Sequence, residues 1–319
     1  MRSLRIATML WIGISAFYVS TVSAQSYPNR PIRVVTNEAG GDSDLQMRLV
    51  ISNGLPELLG QSVIVENRPT VVVGELVAHA APDGYTLITY GGSLWNAPFL
   101  IKTAYDPVKD FTPITILTST PQILVVNSSV PVNSTRDLIA LAKAKPGILT
   151  FPYTGPGATS NLSAELFKYM AGVSLVGVRY KGTPQSINAL MGGEVQVGFL
   201  LPTAAVPQLK SGKIKALAVT TLQPSALFPG LPTVASAGLS GFATGALGAL
   251  LAPAKTPTAI INRLNQETVR VLNKQEVKDR LSALGIEVVG SSPQEAANLI
   301  AADMATIGKL IKDVGIKGD

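Results

Sequence analysis

Glycine, threonine and serine gather in three turns of this sequence in a way that suits the capture of an anion. The turns are Glu38-Ala39-Gly40-Gly41-Asp42-Ser43, Tyr90-Gly91-Gly92-Ser93 and Thr154-Gly155-Pro156-Gly157-Ala158-Thr159-Ser160. Each follows a short apolar run and opens an amphipathic one, so each reads as a strand-to-helix turn. A helix start leaves backbone N–H groups without partners inside the helix. Those donors and the helix dipole favour an anion by about 0.3–1 kcal/mol each, and glycine lets a ligand approach the backbone closely. Taken singly, each turn is explained as well by an ordinary tight turn with an N-cap.

Other chemistries find little support. The chain has one histidine, His79, and no cysteine. His79 falls near the end of a short helix, where the helix dipole alone favours it. Without cysteine there is no disulfide, thiol nucleophile or Cys-zinc site, and a single histidine does not make a zinc centre. No Gly-x-Ser-x-Gly elbow and no Walker loop occurs. Gly155-Pro156-Gly157-Ala158-Thr159-Ser160 has two of the three glycines of a dinucleotide fingerprint, with Ser160 in the third place. The acidic residue such a site needs about 20 positions on is missing, because Glu165 is too close and Glu194 too far. No metal and no cofactor is expected.

The elements that must position these turns form an α/β series. Residues 32–36 read as a buried strand, 42–59 as a helix, and 63–65 and 86–89 as further strands, so the first sheet should be mostly parallel. A second series starts near residues 123–126. Ser134 with Asp137 caps a helix that Lys145-Pro146-Gly147 ends. Strands are expected over 150–153, 176–180, 195–199 and 214–219, with helices over 161–171, 185–191 and 204–211 between them. The C-terminal part holds a returning strand over 246–251 and three helices. Thr256-Pro257 supplies an N-cap and first helical residue, and Ser292-Pro293 with Glu295 a second capping box. That tail has too few strands to stand alone, so it packs back on the first unit. The organisation predicted is a signal segment 1–24, a discontinuous domain I over 25–121 and 245–319, and a domain II over 122–244. Two strands, near 118–125 and 244–251, cross between them as a hinge. In an open parallel sheet the three turns lie at the carboxyl ends of strands, where ligands bind. Two from one domain and one from the other can then hold a carboxylate at each end.

Composition agrees. Arg2 and Arg5, an apolar stretch over 6–18 and Val22-Ser23-Ala24 have the pattern of an export signal cleaved near Ala24. Of 319 residues, 295 then remain, and the net charge falls from +6 to +4 with the loss of two arginines. With 14% charged and 46% apolar residues the chain is not a disordered one. Lys210, Lys213 and Lys215 form the clearest basic cluster, but no aromatics interleave with it, so nucleic acid is not an expected partner.

The sequence resembles the extracytoplasmic receptors of tripartite tricarboxylate transporters, the Bug-type receptors. The resemblance rests on Tyr27-Pro28 with Pro31-Ile32-Arg33, Val65-Glu66-Asn67-Arg68-Pro69, Ala81-Pro82-Asp83-Gly84-Tyr85-Thr86-Leu87 and Tyr105-Asp106-Pro107-Val108-Lys109-Asp110-Phe111. Leu141-Ala142-Lys143-Ala144-Lys145-Pro146-Gly147, Tyr180-Lys181-Gly182 and Leu231-Pro232-Thr233-Val234 complete the set. It implies a two-domain type II periplasmic binding protein fold and a periplasmic receptor. The implied ligand is a small carboxylate, such as a dicarboxylate or an aromatic acid, and the implied partners are integral membrane transporter subunits. The binding residues implied are Asn37, Glu38, Gly40, Gly41, Asp42, Gly91, Gly92, Ser93, Trp95, Thr154, Gly157, Ala158, Thr159, Ser160, Tyr180, Lys181, Gly182, Thr183 and Leu200.

Three departures from the family pattern bear on the ligand. The usual Pro-Pro-Gly-Gly of the first loop is Asn37-Glu38-Ala39-Gly40-Gly41, where Glu38 can repel an anion or grip an amine or hydroxyl. The run after Arg68-Pro69 is Thr70-Val71-Val72-Val73 instead of glycine-rich. Leu200-Leu201 replaces a polar Asp-Asn pair, which suits a ligand with an apolar middle unless both leucines are core. The expectation is a monomeric binding protein and not an enzyme. Two alternatives stand beside it: a solute sensor signalling to a membrane kinase, and an acid–base enzyme using Glu38 and Asp42.

Overall fold

A computed structural model describes residues 27–37, 39–155 and 157–316; the expected signal segment and Glu38 lie outside the described residues. The short apolar runs become strands. β1 (Ile32–Thr36) leads to α1 (Asp42–Ser52), α2 (Leu55–Leu59), β2 (Val63–Asn67), α3 (Thr70–Ala78), β3 (Thr86–Tyr90) and the single turn α4 (Ser93–Asn96). The one helix expected over 42–59 is broken in two. Gly54 takes φ +107°, in the left-handed region that interrupts a right-handed helix. The long β4 (Phe111–Pro121) then leaves this unit.

Gln122 alone separates β4 from β5 (Ile123–Asn127), which opens the second unit. There follow α5 (Thr135–Ala144), β6 (Thr150–Tyr153), α6 (Thr159–Ala171), β7 (Val176–Arg179), α7 (Thr183–Gly192), β8 (Val197–Leu200), α8 (Pro202–Leu209) and β9 (Ile214–Val219). The chain returns through β10 (Gly245–Pro253), α9 (Thr258–Leu272), α10 (Gln275–Ala283), β11 (Glu287–Val288) and α11 (Pro293–Val314). Local signals account for several boundaries. The Ser134 hydroxyl accepts from the Asp137 amide at 3.1 Å, and Ser292 and Glu295 form a complete capping box. Pro257, not Thr256, is the N-cap of α9; the Thr256 hydroxyl instead donates to the Pro253 carbonyl.

The first sheet has the order β11-β4-β10-β3-β1-β2. β1 is parallel to β2 and β3, and β10 is antiparallel to both β3 and β4. β1, β2, β3 and β4 therefore run one way and the returning β10 and β11 the other, so the sheet expected to be mostly parallel has two parallel and three antiparallel pairings, because the returning chain inserts β10 between β3 and β4. In the second unit β5 is the antiparallel centre of β8-β5-β9, and β6 pairs in parallel with β7. The tail packs on the first sheet. Ile261, Leu264, Val271, Val277 and Leu281 join Val34, Met47 and Leu87 on one face, while Ala296 and Ile300 of α11 join Val35, Ile88 and Trp95 on the other. Each such buried aliphatic side chain contributes about 1.5–3 kcal/mol.

The two crossing strands are tied together where they pass. The Gln122 amide donates to the Thr220 hydroxyl at 2.8 Å, and that hydroxyl donates to the Thr244 carbonyl at 2.7 Å. The Gln122 side chain donates to the Phe199 carbonyl at 3.1 Å and accepts from the Ser163 hydroxyl. The joint is therefore narrow and its polar groups are satisfied, which suits a hinge between two stiff bodies.

Candidate functional site

The first glycine-rich turn is held from behind by a buried carboxylate. Asp44, 3% exposed, accepts from the Gly40 amide, from Arg48 Nε and from Asn67 Nδ2, each at 2.9 Å. The same Asn67 amide donates to the Asn37 carbonyl at 2.8 Å. Burial alone would raise the Asp44 carboxyl, but the bonds from Arg48, the Gly40 amide and Asn67 outweigh it and hold it below the usual range. Gly40 takes φ +78°, a conformation few side chains adopt, and this lets the turn present Gly41 and Asp42 at the start of α1.

Asp42 reaches the other unit. The Thr203 hydroxyl, in the first turn of α8, donates to Asp42 Oδ1 at 3.1 Å across a sequence separation of 161 residues. Burial pushes the Asp42 carboxyl up, and the Thr203 bond offsets this only in part. The α1 and α8 starts thus meet between the two sheets.

Gly91, Gly92 and Ser93 form the second turn. A side chain at Gly92 would lie 3.3 Å from Asn96 Nδ2 and 3.6 Å from Asp303 Oδ2, so the turn sits close over its own support. That support is Asp303 of α11, which accepts from Trp95 Nε1 at 2.7 Å and Asn96 Nδ2 at 2.9 Å. Thr154, Gly157, Ala158, Thr159 and Ser160 form the third turn, with Ala158 as N-cap of α6. It faces the first unit directly. A Cβ on Gly157 would fall 3.7 Å from Leu100 and 4.0 Å from Ala97, just beyond α4.

Two expected contact residues are buried. Trp95 is 1% exposed and its indole N–H is committed to Asp303, so it braces the second turn from below. Leu200 is 6% exposed and packs with Ile123, Val125, Leu190 and Ala205 in the core of the second unit. The segment Tyr180-Lys181-Gly182-Thr183 leads into α7. The Tyr180 hydroxyl donates to Glu194 at 2.8 Å, and burial followed by that carboxylate pushes it up to about 12. The Lys181 amide donates to Gln185 at 3.2 Å. His79 caps the end of α3, with Nδ1 2.9 Å from the Glu75 carbonyl, as its place in the sequence suggests. Among the described residues no group of three or more His, Cys, Asp or Glu side chains is placed to hold a metal.

Thr203, Asp303 and the Asp44–Asn67 pair were not singled out from the sequence. Thr203 follows a Leu-Pro step that marks a helix start, and Asn67 lies within the Val65-Glu66-Asn67-Arg68-Pro69 motif. Their partners lie too far along the chain for spacing to pair them.

A model of the tripartite tricarboxylate transporter family receptor matches residues 47–316. The chain belongs to this receptor family. Protein BugT of Bordetella pertussis is 30% identical over 328 residues, covering 99% of each chain. An R. palustris protein solved with adipate has a TM-score of 0.83 at 34% identity, covering 91% of this receptor and 99% of that chain. MatC of Rhodopseudomonas palustris, solved with bound malate, has a TM-score of 0.80 at 31% identity, covering 89% and 100%. The receptor therefore has the two-domain type II periplasmic binding protein fold that its sequence implied. The methylphosphonate-binding PhnD1 of Prochlorococcus marinus shares that fold alone, at 13% identity and a TM-score of 0.55. Among the described residues no helix is long and apolar enough to cross a membrane.

Proposed function

We propose that this receptor works in the periplasm, closes its two domains on a small carboxylate and delivers it to a membrane transporter, without catalysing a reaction. The observation that carries this is the convergence of turns from both units, seen in the Asp42–Thr203 bond and in Gly157 against Ala97 and Leu100. The relatives solved with adipate and malate support the ligand class. Domain I takes residues 25–121 and 245–319, and domain II takes 122–244. The strand order supports this division, since β10 and β11 return to the first sheet. The binding surface is Asn37, Gly40, Gly41, Asp42, Gly91, Gly92, Ser93, Thr154, Gly157, Ala158, Thr159 and Ser160, with Thr203 added. Export follows cleavage near Ala24.

Closure removes the ligand from water and strengthens each charge-assisted bond to it. Titration calorimetry against mono- and dicarboxylates of two to eight carbons tests the reading. Saturable binding of at least one acid, left chemically unchanged, is expected. Gly92→Val should weaken that binding at least tenfold while the protein stays folded, because the added methyls crowd Asn96 and Asp303 beneath the turn. A folded wild-type protein silent across the panel, or turnover of the bound acid, overturns the proposal.

A further inference from the structure

Gln46 and Gly248 break the pattern of the elements that hold them, and they do so at one point. Gln46 of α1 is 4% exposed, next to the apolar Met47 that joins the core. Its Oε1 accepts from the hydroxyl of the fully buried Thr118 of β4 at 2.9 Å. Gly248 of β10 lies opposite Thr118 in the ladder, and a Cβ there would overlap Gln46 Oε1 and come within 2.7 Å of Thr118 Oγ1. A glycine inside a strand weakens it, and a buried carboxamide costs free energy unless it is bonded. Neither α1 nor β10 gains locally from the arrangement. The same point is where the crossing strands lose their outer neighbours. β11 pairs with β4 at Thr118 and Ser119, and β3 pairs with β10 at Ala249, Leu250 and Leu251. Beyond them the rungs Ala246–Thr120 and Gly245–Pro121 join the two strands to each other alone. The second unit holds the far end, where the Thr220 amide donates to the Gln122 carbonyl and the Thr244 amide to the Thr220 carbonyl, each at 3.0 Å. The ladder also shifts register between Gly248 and Ala249, an irregularity of the kind at which a strand bends.

We propose that Gln46 is a positioning residue for domain closure. Its bond to Thr118 ties the register shift to α1, so bending is left to the two bare rungs between Thr118 and Gln122. The inference rests on the reading that the two domains close on a ligand. α1 also carries Asp42, which meets Thr203 of the second unit, so the clamp makes the first turn and the crossing strands move as one body. A confined bend brings the domains back to one closed arrangement. A diffuse bend reaches many arrangements, and only a fraction of them bring the turns together, which weakens binding by that fraction.

The chain has no cysteine, so spin labels can be placed cleanly at Glu57→Cys and Lys213→Cys, exposed positions on the two units. Pulsed electron resonance then reads the distribution of distances between the units without ligand. Gln46→Met keeps the size of the side chain and loses the carbonyl that Thr118 bonds. It should widen the distribution and lower the urea midpoint, because a buried hydroxyl is left unpaired. Gln46→Met combined with Thr118→Val removes both partners, so the midpoint should return toward wild type while the distribution stays wide. A pair with a merely structural role would recover in both readings. A double variant with the wild-type midpoint and the wild-type width therefore overturns the inference, and so does a Gln46→Met protein whose distribution is no wider than that of wild type. The double variant carries the test if Gln46→Met alone does not fold. Titration of wild type with the panel of mono- and dicarboxylates keeps the two readings apart. Silence toward every acid counts against the receptor reading, whereas the label distances, compared without ligand, still decide the role of Gln46.

Discussion

Asp42 and Asp44 sit two positions apart and have opposite relations to pH. Asp44 is buried among donors and its carboxyl is held down, whereas Asp42 is half-buried with one neutral donor and its carboxyl is pushed up. A depressed carboxyl adds stability above the unfolded value of about 3.9, and that contribution disappears as pH falls through the folded value. A raised one does the reverse. Its contribution is full below about 3.9 and is lost as pH climbs through the folded value. Asp44→Asn should therefore cost more stability at pH 7 than at pH 3. Asp42→Asn should gain relative to wild type on going from pH 3 to pH 7. Urea titrations of the three proteins at both pH values check the two signs. At pH 7 the Asp44 change should cost about 1–3 kcal/mol, because three donors lose a charged acceptor.

At the scale of elements, stability turns on how helices begin and end. Ser292→Ala removes a complete capping box from the long α11 and should cost about 0.5–2 kcal/mol in chemical denaturation. Gly54→Ala forces a side chain into φ +107° between α1 and α2, and should cost about 1 kcal/mol or more by the same measurement. The punctuation behind these predictions is local, and it is why so much of the fold was legible in the sequence. Alternating apolar runs with glycine and proline between them set out most strands, turns and helix starts within a few residues of their final bounds, but β4 begins at Phe111 where a crossing was expected only from about residue 118, and the short β11 was not foreseen. Gly54 escaped notice because leucines on either side continued the helical pattern through it. The site was legible only as far as its turns. Trp95 was a contact residue only by the family resemblance. What turns it inward is Asp303, which lies 208 residues further on. Leu200 ends a strand at the right edge, yet its side chain belongs to the core built by β5 and α7. Thr203 matters only through Asp42, and no local pattern joins them.

For the whole molecule, the balance between open and closed forms rests on contacts between the two units as well as on ligand. Leu162 and Leu166 of α6 pack against Ile307, Leu310 and Ile311 of α11 and against Leu100. This apolar patch contributes to closure in the way a bound ligand would, by favouring one of two states. Ile311→Ala should tilt the equilibrium toward the open form. Small-angle scattering should show a larger radius of gyration without ligand, and the apparent Kd should rise about tenfold if the closed fraction falls by the same factor. An unchanged scattering profile would mean that the hinge at Gln122, Thr220 and Thr244 fixes the angle by itself.

The position of β10 has a consequence for the birth of the protein. β3 and β4 are not paired with each other; the strand that joins them belongs to residues 245–253 and is made long after both. A nascent chain that stops short of Gly245 leaves one edge of β3 and both edges of β4 without their partner strands. Such a fragment should stick to its own kind, whereas the full chain covers these edges with β10 and then β11. Folding of the first unit thus waits for almost the last quarter of the polypeptide, an arrangement that keeps the chain pliable until most of it has emerged.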